Sequence, residues 1–179
     1  MKNTGFGVKT AAAIAIGAVL MFVLMRFASI ESGVENTYIN FGIAILAAFA
    51  AAFGPVAGFL IGFIGHTLTD ATAPWGISWS WVISSAVFGV AIGFFWKSFK
   101  IEEGGFGLKE CFTFNIIQIV TNAVVWVFIA RTLDMIIYNE AFEKVSLQSF
   151  AAAGFNSAVV LVLGSLLAFG YSRFRRTTN

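Results

Sequence analysis

The sequence predicts an all-α membrane protein, a compact bundle of six transmembrane helices with both termini cytoplasmic. Three observations carry this expectation. Of 179 residues, 59% are apolar and only 11% charged, where a soluble domain carries about 25% charged residues; the mean hydropathy is +0.87. The apolar residues fall into six blocks parted by short polar segments, and the length suits about six spans of ~20 residues with their loops. The basic residues gather at alternate block ends. All of this describes a single integral membrane domain over residues 1–179, with no room for a soluble domain beside it.

The first block, 8–28, follows Lys2 and Lys9 as the core of a signal peptide would. It runs to spanning length without a small-residue cleavage site, so it reads as a retained helix. Residues 39–53 and 55–69 form one apolar run broken only by Gly54-Pro55. Glycine followed by proline ends one helix and opens the next, because proline lacks the N–H that a first turn does not need. The remaining blocks are 79–96, 111–130 and 148–172.

Charge decides between five spans and six. With six, Lys2, Lys9, Lys97, Lys100, Lys109, Arg173, Arg175 and Arg176 lie inside, against Arg26, Arg131 and Lys144 outside. Five spans would invert everything after His66 and put most of the basic residues outside. The positive-inside rule selects six. The net charge of +2 is no nucleic-acid signature, and the single Cys111 excludes an intramolecular disulfide.

This topology puts the loops 29–40, 67–78 and 132–147 outside, with Glu31, Glu35, Asn36, Thr37, Asp70, Asp134, Tyr138 and Asn139 among their polar residues. The inside holds the tight Gly54-Pro55 turn and the linker SFKIEEGGFGLKE. An outward pocket over a plain cytoplasmic face is the arrangement that extracellular capture needs.

Inside the fifth span, NIIQIVTN sets Asn115, Gln118 and Asn122 on one helical face. An amide in hydrocarbon must find a partner. The stripe reads as ligand-facing, with hydrogen bonding between helices as the alternative; Asn156 and Ser157 of the last span are similar candidates. His66 and Asp70, four apart, also share a face. A metal site needs three or four ligands, and His66 is the only histidine. A hydrolase needs a positioned nucleophile, for which Ser84 and Thr67 have no recognised spacing. A proton relay uses carboxylates within the membrane, whereas here the acids lie at span ends and in loops. The reading that remains is a polar pair at a pocket rim beside Trp75, Trp79 and Trp81, which stack on a flat ligand or belong to the interfacial aromatic belt.

Gly54, Gly58 and Gly62 recur every four residues and predict close helix packing. In the first span AAAIAIGA sets Ala11, Ala15 and Ala18 on one small-residue stripe, which serves either packing within the bundle or docking of another membrane subunit.

These residues carry a resemblance. The Ala11-x-x-x-Ala15 pattern, GVENTYIN, FGPVAGFLIGFIGHTLTD and WGISWSWVISSAVFGVAIG are similar to the substrate-binding S components of energy-coupling factor (ECF) vitamin transporters, in particular the group described as ECF-type riboflavin S components. The resemblance covers most of the chain and is densest over 34–93. It implies a subunit of a bacterial plasma membrane that is not an enzyme. Such a subunit binds a water-soluble vitamin from outside, partners a transmembrane coupling subunit and two ABC-type ATPases, and topples in the lipid bilayer to release its cargo. The chain has no G-x-x-x-x-G-K-[ST] phosphate loop, so ATP hydrolysis is supplied in trans. The 29–40 loop then acts as a lid, with Asn36 and Thr37 reaching the ligand. Arg26 faces a ligand oxygen or Asp70, or snorkels to the interface.

The expected substrate-binding set is therefore Arg26, Asn36, Thr37, His66, Asp70, Trp79, Asn115, Gln118 and Asn122, and the expected docking set Ala11, Ala15 and Ala18. No cofactor, metal or nucleic-acid partner is expected. Cobalamin, riboflavin, pyridoxine and hydroxymethylpyrimidine are the candidate cargoes. The alternatives are a stand-alone secondary transporter, against which no internal repeat is evident, and a structural membrane subunit, which leaves the polar stripe unexplained.

Overall fold

The computed structural model describes residues 7–178; Lys2, which entered the charge argument, and Asn179 lie outside them. Helix α1 (Val8–Phe27) leads into an antiparallel ribbon of β1 (Ile30–Glu31) and β2 (Tyr38–Ile39), in which Ile30 faces Ile39 and Glu31 faces Tyr38. Then follow α2 (Gly42–Phe53), α3 (Pro55–Ala71), α4 (Trp79–Phe94), the short α5 (Trp96–Phe99), α6 (Leu108–Tyr138) and α7 (Phe142–Thr178). Helices α1, α6 and α7 are long and apolar enough to cross a membrane, and α2 and α4 are shorter apolar helices.

The break between α2 and α3 falls where glycine and proline put it. Gly54 takes φ +89°, a conformation that costs glycine little. Its N–H closes α2 on the Ala50 carbonyl at 2.9 Å, and its own carbonyl accepts from Gly58 at 3.0 Å to open α3. Helix α2 is apolar on every side and accordingly buried on every side: Leu46, Ala47, Ala50 and Ala51 are wholly inaccessible. Its alanines let α1, α3, α4 and α7 close around it. Apolar side chains such as Ile16, Val120, Phe128 and Leu166 are exposed on the outer faces of α1, α6 and α7, which suits a lipid surround.

Helix α3 packs between α1 and α4, and its glycines serve both neighbours. A Cβ on Gly58 would lie 2.2 Å from the Gly89 carbonyl oxygen, and one on Gly62 2.5 Å from that of Ser85, both in α4. Gly65 turns instead to α1, where a Cβ would meet the Ala18 carbonyl at 3.1 Å. Ala18 therefore lies inside the α1–α3 contact, 3% exposed, and its expected place on an open stripe with Ala11 and Ala15 is corrected. Ala11 and Ala15 are exposed.

Three boundaries also differ from expectation. The 29–40 loop contains the ribbon. The fifth helix runs to Tyr138 rather than 130, and the last begins at Phe142 rather than 148, so most of the expected 132–147 loop is helix. Asp134 is among the residues expected in that loop, but it is 4% exposed and hydrogen-bonded within the bundle, so its charge does not end the helix. Asn139, at φ +53°, does. Both long helices also contain a π-helical segment, Val125–Ala130 and Val160–Gly164.

Candidate functional site

A cavity of about 500 Å³ opens beneath the ribbon, within the range of ~300–1,000 Å³ usual for small-molecule sites. The outer end of α1 contributes Arg26, the ribbon segment Asn36 and Thr37, and α3 His66, Thr69 and Asp70. Helix α6 adds Trp126 from within its π segment and Asp134 from the α-helical turn beyond it, and α7 adds Lys144, Gln148, Ala152 and Asn156 at intervals of four residues, one face of a helix.

The α3 pair owes its position to the glycines. Close approach at Gly62 brings Ser85 of α4 against α3, and His66 Nδ1 shares a 2.6 Å hydrogen bond with Ser85 Oγ. On its other side His66 Nε2 lies 3.7 Å from Asp70 Oδ1, too far for a hydrogen bond. Asp70 Oδ2 accepts from the Ser78 backbone N–H at 3.0 Å, and Oδ1 from Trp75 Nε1 at 3.3 Å. The aspartate thus holds the turn that follows its own helix. Serine, histidine and aspartate occur here in the order of a hydrolase triad, but Ser85 is 1% exposed and outside the cavity lining, so no substrate reaches its hydroxyl.

Two contacts tack the ribbon down. Tyr38 stacks on Trp75 at 5.9 Å between ring centroids, and Gln148 Nε2 donates to the Glu35 carbonyl at 2.9 Å. Within the ribbon turn, Ser32 Oγ donates to the Thr37 carbonyl at 2.6 Å, and Asn36 takes φ +53°, which asparagine tolerates better than most residues. Deeper in, Trp81 and Trp126 stack at 5.4 Å with ring planes 22° apart. Asp134 accepts from Trp81 Nε1 at 2.8 Å and from Ser80 Oγ, which fixes the first indole.

The second indole is fixed by the amide stripe. Trp126 Nε1 donates to Asn122 Oδ1 at 2.8 Å, Asn122 Nδ2 to Gln118 Oε1 at 2.8 Å, and Gln118 Nε2 to Asn115 Oδ1 at 3.2 Å. Asn115 Nδ2 then donates to Ser165 Oγ of α7 at 2.8 Å. None of the three amides lines the cavity. Their expected place on its floor is corrected, because amides at helical spacing reach one another first. Asn115 borders a separate apolar groove with Ser165. Trp79 is also outside the lining: it is 43% exposed and stacks outward on Phe63 at 6.3 Å, while its backbone N–H donates to Tyr138 Oη at 2.8 Å.

Of the nine expected site residues, the structure brings Arg26, Asn36, Thr37, His66 and Asp70 to one cavity. Arg26 forms no ion pair among the described residues and does not reach Asp70; its guanidinium lies 5.8 Å from the Phe27 ring. The lining residues that the expected set omits are chiefly Trp126, Asp134, Gln148 and Asn156. On α7 the signal is a spacing of four: Gln148, Ala152 and Asn156 lie in the expected last span, where Asn156 is a candidate beside Ser157, and only Lys144 falls in the expected loop.

A family profile described as "ECF-type riboflavin transporter, S component" matches residues 5–173. Curated relatives named UPF0397 protein cover nearly the whole chain. That of Leuconostoc citreum is 48% identical over 97% of this chain and 93% of its own. The Lacticaseibacillus casei protein is 44% identical over 94% and 90%, and the Clostridium perfringens protein 44% over 98% and 95%. No solved structure matches the chain. With the match reaching into every helix and covering every cavity residue, the chain belongs to the ECF-type riboflavin transporter S component family, a family of transporter subunits and not of enzymes.

Proposed function

We propose that this chain is the S component of an ECF-type importer in a bacterial plasma membrane. It is one multi-pass domain that captures a water-soluble vitamin from outside and carries it across the bilayer, while a transmembrane coupling subunit and two ABC-type ATPases supply the energy. The observation that carries this reading is the ribbon-covered cavity, walled by stacked tryptophans and polar side chains, in an apolar helical bundle of this family. Helices α1, α2, α3, α4, α6 and α7 are its six spans, and both termini are cytoplasmic. Lys9 and Arg175 both pair with Glu102, and Lys100 with Glu110 at 3.1 Å. These contacts gather the basic residues at the end away from the cavity and support an outward-facing site. A tag in the 102–107 linker and one at Asn179 should both report as cytoplasmic in accessibility labelling, and one near Tyr138 as external. An external linker tag would sink the six-span topology and the outward cavity with it.

The cargo lies flat against the Trp81–Trp126 wall, with Arg26, Asn36, Thr37, His66 and Asp70 around it and the ribbon above. A volume of about 500 Å³ suits riboflavin, pyridoxine or hydroxymethylpyrimidine under a closed ribbon; cobalamin would require the ribbon to open. Asn115, Gln118 and Asn122 act at one remove, by holding the Trp126 indole. His66→Ala should weaken binding of the cargo tenfold to a hundredfold, the worth of one buried hydrogen bond at about 1–3 kcal/mol, without preventing membrane insertion. Calorimetric titration of the purified protein checks this, and an unchanged affinity removes His66 from the site.

A further inference from the structure

Most polar groups around the cavity already have protein partners. Both oxygens of Asp134 accept hydrogen bonds from Ser80 and Trp81, Asp70 holds Ser78, Gln148 holds the ribbon, and Lys144 pairs with Glu140 at 2.9 Å. Asn156 is different. Its residue is 5% exposed, it lines the cavity, and its Oδ1 has no hydrogen-bond partner. The other buried polar atoms without a hydrogen bond among the described residues are Thr67 Oγ1, Ser149 Oγ and Arg175 Nε, the last of which faces Glu102 in an ion pair, and none of their residues lines the cavity. A buried acceptor left unpaired is costly to the fold, so a side chain kept in that state beside a cavity points to a partner arriving from the cavity.

Position says which part of the cargo that partner is. Lys144, Gln148, Ala152 and Asn156 descend one face of α7 from the ribbon inwards. At 1.5 Å per residue, Asn156 lies about 18 Å along the helix from Lys144. Trp126 faces the same space, held by Asn122 so that its own N–H is already used. The deep end of the cavity thus brings together an indole and an amide whose oxygen has no protein partner.

We infer that Asn156 is the specificity-determining residue at the floor of the cavity, accepting a hydrogen bond from an N–H or O–H on the inner end of a planar cargo. The inference rests on the reading of this cavity as the vitamin site. It requires a cargo whose leading edge carries a hydrogen-bond donor, and it discriminates against an analogue in which that donor is methylated or replaced by an acceptor.

The test uses the purified full chain in detergent, with riboflavin, pyridoxine, hydroxymethylpyrimidine and cobalamin as the probes. Each is titrated against wild type, Asn156→Leu and Asn122→Leu, and the thermal unfolding midpoint of each protein is recorded without probe. Asn156→Leu keeps roughly the volume and removes the unpaired acceptor. It should lower affinity for whichever probe the wild type binds tenfold to a hundredfold, with a midpoint equal to or above that of wild type. Asn122→Leu leaves Trp126 Nε1 and Gln118 Oε1 without partners and should lower the midpoint. Unchanged affinity in Asn156→Leu overturns the inference while leaving the cavity as the binding site. A fall in its midpoint matching that of Asn122→Leu makes Asn156 a packing residue and overturns it too. If wild type binds none of the four, the vitamin-site reading fails and the inference falls with it.

Discussion

Gly58→Val should prevent the bundle from assembling, so that the variant is lost as aggregate on size exclusion in detergent. A Cβ at this position would sit 2.2 Å from the Gly89 oxygen and 2.5 Å from its carbonyl carbon, and both are backbone. Overpacking of a core by side chains costs about 1–3 kcal/mol because neighbouring rotamers can give way. A helix backbone facing a helix backbone has no rotamer to change, so α3 and α4 must separate along their length. The site is lost with the fold, since the same contact brings Ser85 to His66. Gly154→Ala is the matching control: nothing lies within 4 Å of its added Cβ, and alanine in a helix is favoured over glycine by about 1 kcal/mol. A monodisperse Gly58→Val protein that unfolds at the wild-type temperature would refute the close α3–α4 contact.

Replacing Ala11 and Ala15 together with leucine should abolish vitamin uptake by cells that express the coupling subunit and ATPases, while the isolated protein binds its cargo as before. Both alanines are exposed on α1, so the larger side chains project away from the bundle and displace nothing inside it. Small residues on an exposed helix face allow a second membrane helix to approach closely, and bulky ones hold it off. Ala18 is the contrast, because its burial against α3 makes Ala18→Leu a folding variant and not a docking variant. Uptake assays beside calorimetry on the same double variant separate the two roles. Equal losses of binding and uptake would assign Ala11 and Ala15 to the bundle itself.

The candidate site was legible where one residue type at one spacing has a single physical use. His66 and Asp70 follow a glycine ladder on one helix, and Arg26 ends an apolar run; local pattern suffices to bring such residues to one end of a bundle. The amide stripe misled for a physical reason. Periodicity tells which residues share a face but not whether their hydrogen bonds are used among themselves, and Asn115, Gln118 and Asn122 satisfy one another along α6. Trp79 and Trp81 stand two residues apart, so on a helix they point to different sides: Trp81 into the cavity against Asp134, Trp79 outward against Phe63.

By itself, the sequence determined the solvent, the helical class and the Gly54-Pro55 break. These depend on composition, apolar run length and backbone chemistry, each a property of a short segment. Tertiary structure alone decided that α6 continues through Arg131 and Asp134, because burying a carboxylate requires Ser80 and Trp81 to arrive from more than fifty residues away. It also decided that the 29–40 segment forms a β ribbon pinned by Trp75 and Gln148, and that Ala18 is inside while Ala11 and Ala15 are out. Asn156 belongs to the same class. Its residue type was visible in the sequence, but whether a buried amide is paired depends on every neighbour around it, and only the packed bundle leaves its oxygen free.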